Sequence, residues 1–230
     1  KTVYHSKNRM PSTRMGTAAL IREALMKAVD YKERKEKANG DPEKMPAFDM
    51  KMEALLPVLR KEIPLKAHAH RADDMFTAIR IAKEFGLKLT LDHVTEGGLI
   101  VDILKKENIP LIVGPSFGER CKIELKELSF KTPGILSNAG LKIALMTDHP
   151  VIPIQHLVMS AAYAVKDGMK HEEALKAITI NPAEILGVSD RLGSIETGKD
   201  ADIAIFDGDP LDIMSRTTHV FINGKQVYKK

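Results

Sequence analysis

Short apolar runs that alternate with amphipathic segments are the feature of this sequence that most restricts its fold. Four times in succession, a short apolar run precedes a longer segment whose apolar residues recur at helical spacing. The runs are PLKAHAH, LKLTLDHV, IPLIVGP and LKIALMTD. Parallel strands need a crossover between them, and a helix supplies it. The alternation therefore predicts an α/β fold with a parallel sheet, either as a barrel or as an open sheet.

The regions on either side of this alternation have other patterns. Residues 16–38 and 47–62 have helical periodicity, and Pro57 is a possible interruption of the second helix. Near the other end, residues 201–207 and 218–228 indicate short β-strands with a turn at Asn223-Gly224. We therefore expect a small β appendage after the α/β part.

Composition excludes several classes of protein. The 35 basic and 31 acidic residues are mixed along the chain, and no basic stripe interleaved with aromatic residues indicates nucleic-acid binding. No apolar run approaches the length of a membrane span, and no secretory signal is present. The single cysteine, Cys121, excludes an intramolecular disulfide and favours a cytoplasmic location. The opening KTVYHSKNRM, without an initiator methionine, suggests a fragment or a processed chain.

Candidate metal ligands occur where the predicted strands end. His68 and His70 end the first apolar run, His93 follows Asp92 at the end of the second, and Asp148 ends the fourth. Substrates of parallel α/β folds meet the carboxyl ends of the strands. Because neutral imidazole and ionised carboxylate are zinc ligands in open catalytic sites, the pattern predicts a metal site at this edge.

Each of these residues also has a purely structural interpretation. A single histidine at a strand end is more often a hydrogen-bonded structural residue, but several converging histidines favour function. Asp148 could cap the helix that follows it, although the nearby prolines disfavour an immediate helix start. Asp92 could orient a neighbour. Three further histidines are interpreted as surface or supporting residues: His149, His156 and His171.

The end of the chain carries a family resemblance. NPAEILGVSDRLGSIETGKDADIAIFDGDP, followed by THVFINGKQVY, resembles the C-terminal signature of the amidohydrolase superfamily, in particular its imidazolonepropionase-like and prolidase-like members. The resemblance implies the C-terminal half of a TIM (β/α)8 barrel, with strands five to eight within residues 1–196. It assigns residues 197–230 to the C-terminal strands of a small composite β-sandwich. The first-strand His-x-His pair and the fourth-strand Lys or Glu of such enzymes have no match here.

The resemblance also implies roles for the residues at the strand ends. His68, His93 and Asp148 match metal ligands of the family, and one or two divalent ions, zinc above all, are the implied cofactor. His93 and Asp148 match catalytic positions, and His70 is then nearer the substrate. The loop at residues 116–133 adds Arg120 as a candidate for binding a substrate carboxylate, with Lys122 as a weaker one.

The implied activity is hydrolysis of a carbon–nitrogen bond in a small amide-like molecule, a cyclic amide or a dipeptide among them. Metal-activated water attacks the carbonyl, and Asp148 serves as general base and then as general acid. An alternative is a catalytically silent half-barrel that needs a complementary N-terminal half for metal binding and activity, or that assembles as a homo-oligomer. A metal-free lyase or isomerase is a third interpretation, which the C-terminal signature disfavours.

Overall fold

The structure is a computed structural model that describes residues 2–230. Within that part of the chain it has nine α-helices and seven β-strands. The helices are α1 (Thr2–Ser6), α2 (Arg14–Ala38), α3 (Met50–Leu59), α4 (Ala72–Glu84), α5 (Val101–Glu107), α6 (Lys131–Asn138), α7 (Leu157–Lys166), α8 (His171–Ala177) and α9 (Ile180–Leu186). The strands are β1 (Leu65–Ala69), β2 (Leu89–His93), β3 (Leu111–Val113), β4 (Ile143–Leu145), β5 (Ile203–Phe206), β6 (Thr217–Ile222) and β7 (Lys225–Lys229).

The predicted parallel sheet is present. Strands β1 to β4 lie side by side in chain order, and both the β2–β3 and the β3–β4 pairs are parallel. Leu91 pairs with Leu111, which in turn pairs with Ile143, so the three strands are in close register. The mixed α/β class predicted from the sequence is therefore confirmed. The order places β1 and β4 at the two ends of the sheet, which does not close into a barrel within residues 2–230.

The chain divides into two compact units. The first contains the chain up to Ala67 together with Asp73–Thr90, and the second contains His68–Ala72 together with Leu91–Lys230. The first unit is built largely from α2, α3 and most of α4. The second contains the carboxyl ends of β1 and β2, which carry the candidate histidines, and everything that follows β2.

Helices α2 and α3 of the first unit pack through apolar side chains and one ion-pair cluster. Leu25 and Leu56 are buried. Tyr31 Oη donates a hydrogen bond to Glu53 Oε1 at 2.6 Å, and Lys35 Nζ lies 2.5 Å from the same oxygen. Asp49 caps α3 by accepting hydrogen bonds from the first-turn amides. Pro57 lies inside α3 near its C-terminal end, so the helix accommodates the proline that was expected to interrupt it.

The core of the second unit lies between its strands and helices. Leu91, Leu111 and Ile143 are almost completely buried, as are Leu104 of α5 and Leu136 of α6. Strand β4 is also fixed from outside the sheet, because the buried amide of Asn181 donates a hydrogen bond to the carbonyl of Ile143 at 2.8 Å. His93 therefore lies at the end of a strand, β2, with a well-packed apolar interior.

The three C-terminal strands form a separate antiparallel sheet in the order β5–β6–β7. The predicted turn at Asn223-Gly224 is confirmed, since both residues have positive φ (49° and 74°), as the tight turn between β6 and β7 requires. All five residues of β7 are exposed, and Ile205, Ile222 and Val227 also have large exposed fractions. This sheet thus leaves apolar side chains uncovered within the described chain.

No helix within residues 2–230 combines the length and the hydropathy that crossing a bilayer requires.

Candidate metal centre

Three histidines converge at the carboxyl ends of β1 and β2. A ring nitrogen from each of His68, His70 and His93 lies within 4.8 Å of the others. The ring centroids of His68 and His93 are 4.0 Å apart, and those of His70 and His93 are 4.3 Å apart. The three rings differ in exposure: His93 is buried, His70 is partly buried and His68 is exposed. Such a group, with one side open to solvent, suits a catalytic metal ion.

Hydrogen bonds orient two of the three rings. The Nδ1 atom of His93 lies 2.8 Å from the carbonyl oxygen of Gly114, just after β3. A carbonyl can only accept a hydrogen bond, so Nδ1 carries the proton and Nε2 keeps its lone pair. The Nδ1 atom of His70 lies 2.8 Å from the hydroxyl of Thr95, which leaves its Nε2 free of that contact. Partners of this kind fix the orientation of metal-binding imidazoles.

The surroundings lower the pKa of two of these rings, those of His70 and His93. Burial, followed by the neighbouring charges of His93, His68 and Lys122, lowers the pKa of His70 from 6.5 to about 3. Burial, followed by the charge of His68, also lowers the pKa of His93, against the opposing effects of Gly114, Asp148 and Asp92. Since a metal ion binds only the neutral imidazole, protons compete weakly for these two nitrogens.

Asp148 lies outside the close group of ring nitrogens formed within residues 2–230. It is exposed, it has a positive φ of 53°, and its charge raises the pKa of His93. The alternative interpretation of Asp148 as a helix cap does not apply, because α7 begins at Leu157 with His156 at the capping position. Its carboxylate is therefore not used by that helix.

The loop after β3 lies beside the histidine group. A cavity of about 10 Å³ next to His93 is lined by residues from both ends of this loop, among them Pro115, Ser116, Leu128 and Ser129. Arg120, predicted to bind substrate, is exposed and donates a hydrogen bond to the carbonyl of Leu128 at 2.8 Å. Arg120 thus stabilises the loop in which it lies.

Sequence reasoning missed three residues that support the site. Gly114 binds the ring of His93, Thr95 binds the ring of His70, and Glu96 binds the backbone beside His70. The stretch HVTEGG places the last two next to His93. The polar pair Thr95-Glu96 before two glycines could have indicated a functional segment. The residues that this pair contacts, His70 and Ala72, lie far away in the sequence.

The chain belongs to the amidohydrolase family, whose sequence profile matches residues 21–227. The superfamily predicted from the C-terminal motif is thus confirmed. An amidohydrolase from Thermotoga maritima MSB8 shares 47% sequence identity and a TM-score of 0.95, over 100% of this chain and 60% of that one.

Two curated relatives match over different parts of the chain. Amidohydrolase tasK of Hapsidospora irregularis is 28% identical over 236 residues, which are 97% of this chain and 24% of that protein. The imidazolonepropionase of Fusobacterium nucleatum subsp. nucleatum is 37% identical over 103 residues, 40% of this chain and 24% of that enzyme. The matched regions are thus 24% of either relative and 60% of the Thermotoga maritima structure.

Proposed function

We propose that this chain is part of a metal-dependent amidohydrolase that hydrolyses a carbon–nitrogen bond of an amide-like small molecule. The observation that carries the proposal is the group of three imidazoles at two neighbouring strand ends, in a chain that belongs to the amidohydrolase family. The depressed pKa values of His70 and His93 support it, because rings that stay neutral are available to a cation.

The residues of this group fit a divalent ion. We propose that the ion is zinc and that one or two ions bind. Imidazole nitrogens are its usual protein ligands, and the group has an open side at His68. We assign His68 and His93 as ligands, with Asp148 as the carboxylate of the set. The closeness of His70 favours a third nitrogen ligand over the substrate contact expected from the sequence. When bound, the ion would lower the pKa of water and polarise a carbonyl.

The chain's own residues would handle the proton. Asp148 takes the proton of the attacking water as general base and returns it to the leaving nitrogen as general acid. Its exposure and its lack of a capping role support this assignment. If only one ion binds, His93 would instead polarise the carbonyl. That role needs a proton on Nε2 in addition to the Nδ1 proton donated to Gly114, and the nearby charge of Asp148 favours this protonated form.

The substrate is a small molecule in this proposal, with cyclic amides, N-acyl amino acids and dipeptides as candidates. The loop after β3 would line its site, since both ends of that loop border the cavity at His93. Lys122 is close enough for its charge to act on His70, which supports it alongside Arg120 as a contact for a substrate carboxylate. A cytoplasmic location also stays a proposal.

The domain assignment is part of the same proposal. Residues 1–196 would supply strands five to eight of a (β/α)8 barrel, and residues 197–230 would supply strands of a composite β-sandwich. The open sheet ends at β1 and β4 and the uncovered apolar residues of β5 to β7 support this view. They also favour the second candidate, a chain that is silent until a complementary half or a second copy covers these surfaces.

Metal analysis combined with a hydrolysis screen tests the proposal. We expect the 230-residue chain and the longer gene product that the proposal requires to carry zinc, and at least the longer one to release amine from an amide panel. Chelation should abolish turnover, and Asp148→Asn should lower it by about 10²–10⁴-fold. Turnover that survives chelation would instead support a metal-free lyase or isomerase. An isolated chain without zinc or turnover, beside a longer gene product that has both, would support the silent alternative.

A further inference from the structure

The backbone makes a left-handed turn where β2 ends. His93 and Val94 have positive φ values of 78° and 54°. A β-branched residue such as Val94 is rarely found in this region, because its side chain crowds the backbone there. The surrounding structure must therefore hold the turn in place. After the turn, residues 94–96 lie beside the end of β1.

Four hydrogen bonds join the segment after β2 to the end of β1. The amide of Val94 donates to the carbonyl of Ala69 at 3.1 Å, and the amide of Glu96 donates to the carbonyl of His70 at 2.8 Å. Thr95 Oγ1 lies 2.8 Å from His70 Nδ1, and the amide of Ala72 donates to Glu96 Oε2 at 2.9 Å. We call this set of contacts, between residues 94–96 and residues 69–72, the clasp.

The clasp is buried and closely packed. Val94, Thr95 and Glu96 are 0%, 6% and 6% exposed. A side-chain carbon on Gly97 would lie 2.4 Å from a methyl group of Val94, so only glycine fits there without moving the valine. Burying a carboxylate is costly unless hydrogen bonds replace its water. Glu96 meets this condition, because its carboxylate accepts a hydrogen bond from the amide of Ala72. The carboxylate therefore connects residues 94–96 to the start of α4.

Glu96 holds the chain on both sides of Arg71. Its backbone amide binds the carbonyl of His70, and its side chain binds the amide of Ala72, where α4 begins. This double contact restrains the residue that carries the second imidazole of the group. Glu96 itself is not a member of the ligand group identified among residues 2–230. Its contribution would therefore act through His70.

We propose that Glu96 is a positioning residue of the metal centre, which holds His70 so that its ring stays within reach of His68 and His93. The inference rests on the proposed function, because it assumes that the three rings bind a metal ion. The proposal predicts that removing the carboxylate lowers metal affinity. The loss of affinity should be greater than in a variant that loses the same amount of folding stability elsewhere in the chain. Partners that orient metal ligands commonly change affinity by about 10–100-fold when they are removed.

Co²⁺ binding to the 230-residue chain tests this, with the ligand-field absorption of the bound ion as the readout. Glu96→Ala and Glu96→Met remove the acceptor, and the methionine keeps most of the side-chain volume if alanine impairs folding. Glu96→Gln keeps an oxygen that can accept from Ala72. Asp49→Ala is the matched control, since Asp49 likewise accepts hydrogen bonds from amides at a helix start, but in the first unit.

We expect Glu96→Ala and Glu96→Met to raise the Co²⁺ dissociation constant by about 10–100-fold and to change the absorption spectrum. Glu96→Gln should restore most of the affinity, and Asp49→Ala should leave it at the wild-type value while lowering the melting temperature. Wild-type affinity in both acceptor-free variants, or an equal loss in Glu96→Gln, would overturn the role of Glu96 and leave the metal centre standing. Absence of Co²⁺ binding to the wild-type chain would overturn the positioning role of Glu96 and support the silent alternative.

Discussion

The Nδ1 atom of His93 lies 2.8 Å from the carbonyl oxygen of Gly114, and the amide of Gly114 donates back to the carbonyl of His93 at 3.3 Å. The glycine is thus connected to both the side chain and the backbone of the histidine. Gly114 has a φ of 132°, and a side-chain carbon on it would lie 2.3 Å from the carbonyl oxygen of Met146. Any other residue at position 114 would have to displace either its own segment or the segment that contains Met146.

Gly114→Ala should therefore destabilise the protein and weaken metal binding. Gly118→Ala is the matched control, since Gly118 has a similar φ of 126° but nothing within 4 Å of the added carbon. We expect about 1 kcal/mol of lost stability in the control, from the positive φ alone, and a further loss of about 1–3 kcal/mol at Gly114 from overpacking. Urea unfolding measures both. Equal losses in the two variants would show that the approach to Met146 is not tight.

Removing any of the three histidines should weaken metal binding. Each of His68→Ala, His70→Ala and His93→Ala takes one ring nitrogen from the group, and we expect affinity for Zn²⁺ to fall at least about tenfold. His5→Ala, which removes an exposed imidazole from α1, should have no effect. Competition with a chromophoric chelator measures the affinities. Unchanged affinity in His70→Ala would return His70 to the substrate-contact role.

Thr90→Val should stabilise the protein. Thr90 is 3% exposed, and its hydroxyl is the buried side-chain group within residues 2–230 that lacks a hydrogen-bond partner. Replacing the hydroxyl with a methyl group removes that unsatisfied donor and should add about 1 kcal/mol to the free energy of unfolding. Thr77→Val is the control, because the Thr77 hydroxyl donates to the carbonyl of Asp73 at 2.9 Å. A gain of the same size in both variants would point to general apolar burial instead.

Glu53→Gln should lower the melting temperature in a pH-dependent way. Hydrogen bonds from Lys35, and then from Tyr31, lower the pKa of Glu53 below its ordinary value of 4.5. A lowered pKa means that the carboxylate stabilises the folded state fully above the unfolded-state value, and that this contribution is lost as the pH falls through the folded-state value. The variant should therefore differ most from wild type at neutral pH and converge with it in acid.

Glu33→Gln provides the comparison for this cluster, since the exposed Glu33 forms only a long ion pair of 3.7 Å with Lys37. Surface pairs of this kind contribute little to stability. The melting temperature of Glu33→Gln should therefore equal that of the wild type at every pH. A constant offset between Glu53→Gln and wild type down to strongly acidic pH would contradict the ionic origin of the stabilisation.

Local patterns were sufficient to predict the elements of this fold. The alternation of apolar runs and amphipathic segments predicted β1 to β4 and the helices between them, and Asn223-Gly224 predicted the turn between β6 and β7. Such signals depend on residues that are close together in the chain, so they can be read without knowing the tertiary contacts. Helix α8 was not predicted, and α9 coincides with the start of the family motif.

The amino-acid sequence by itself determined the α/β class, the family and the placement of His68, His70 and His93 at strand ends. Only the tertiary structure decided that His70 lies as close to His93 as it does, and that Thr95, Glu96 and Gly114 hold the rings. The physical reason is that hydrogen bonds between residues more than twenty positions apart set the ring orientations. Periodicity predicts which face a residue occupies, whereas the partner that it meets there depends on how neighbouring strands are aligned.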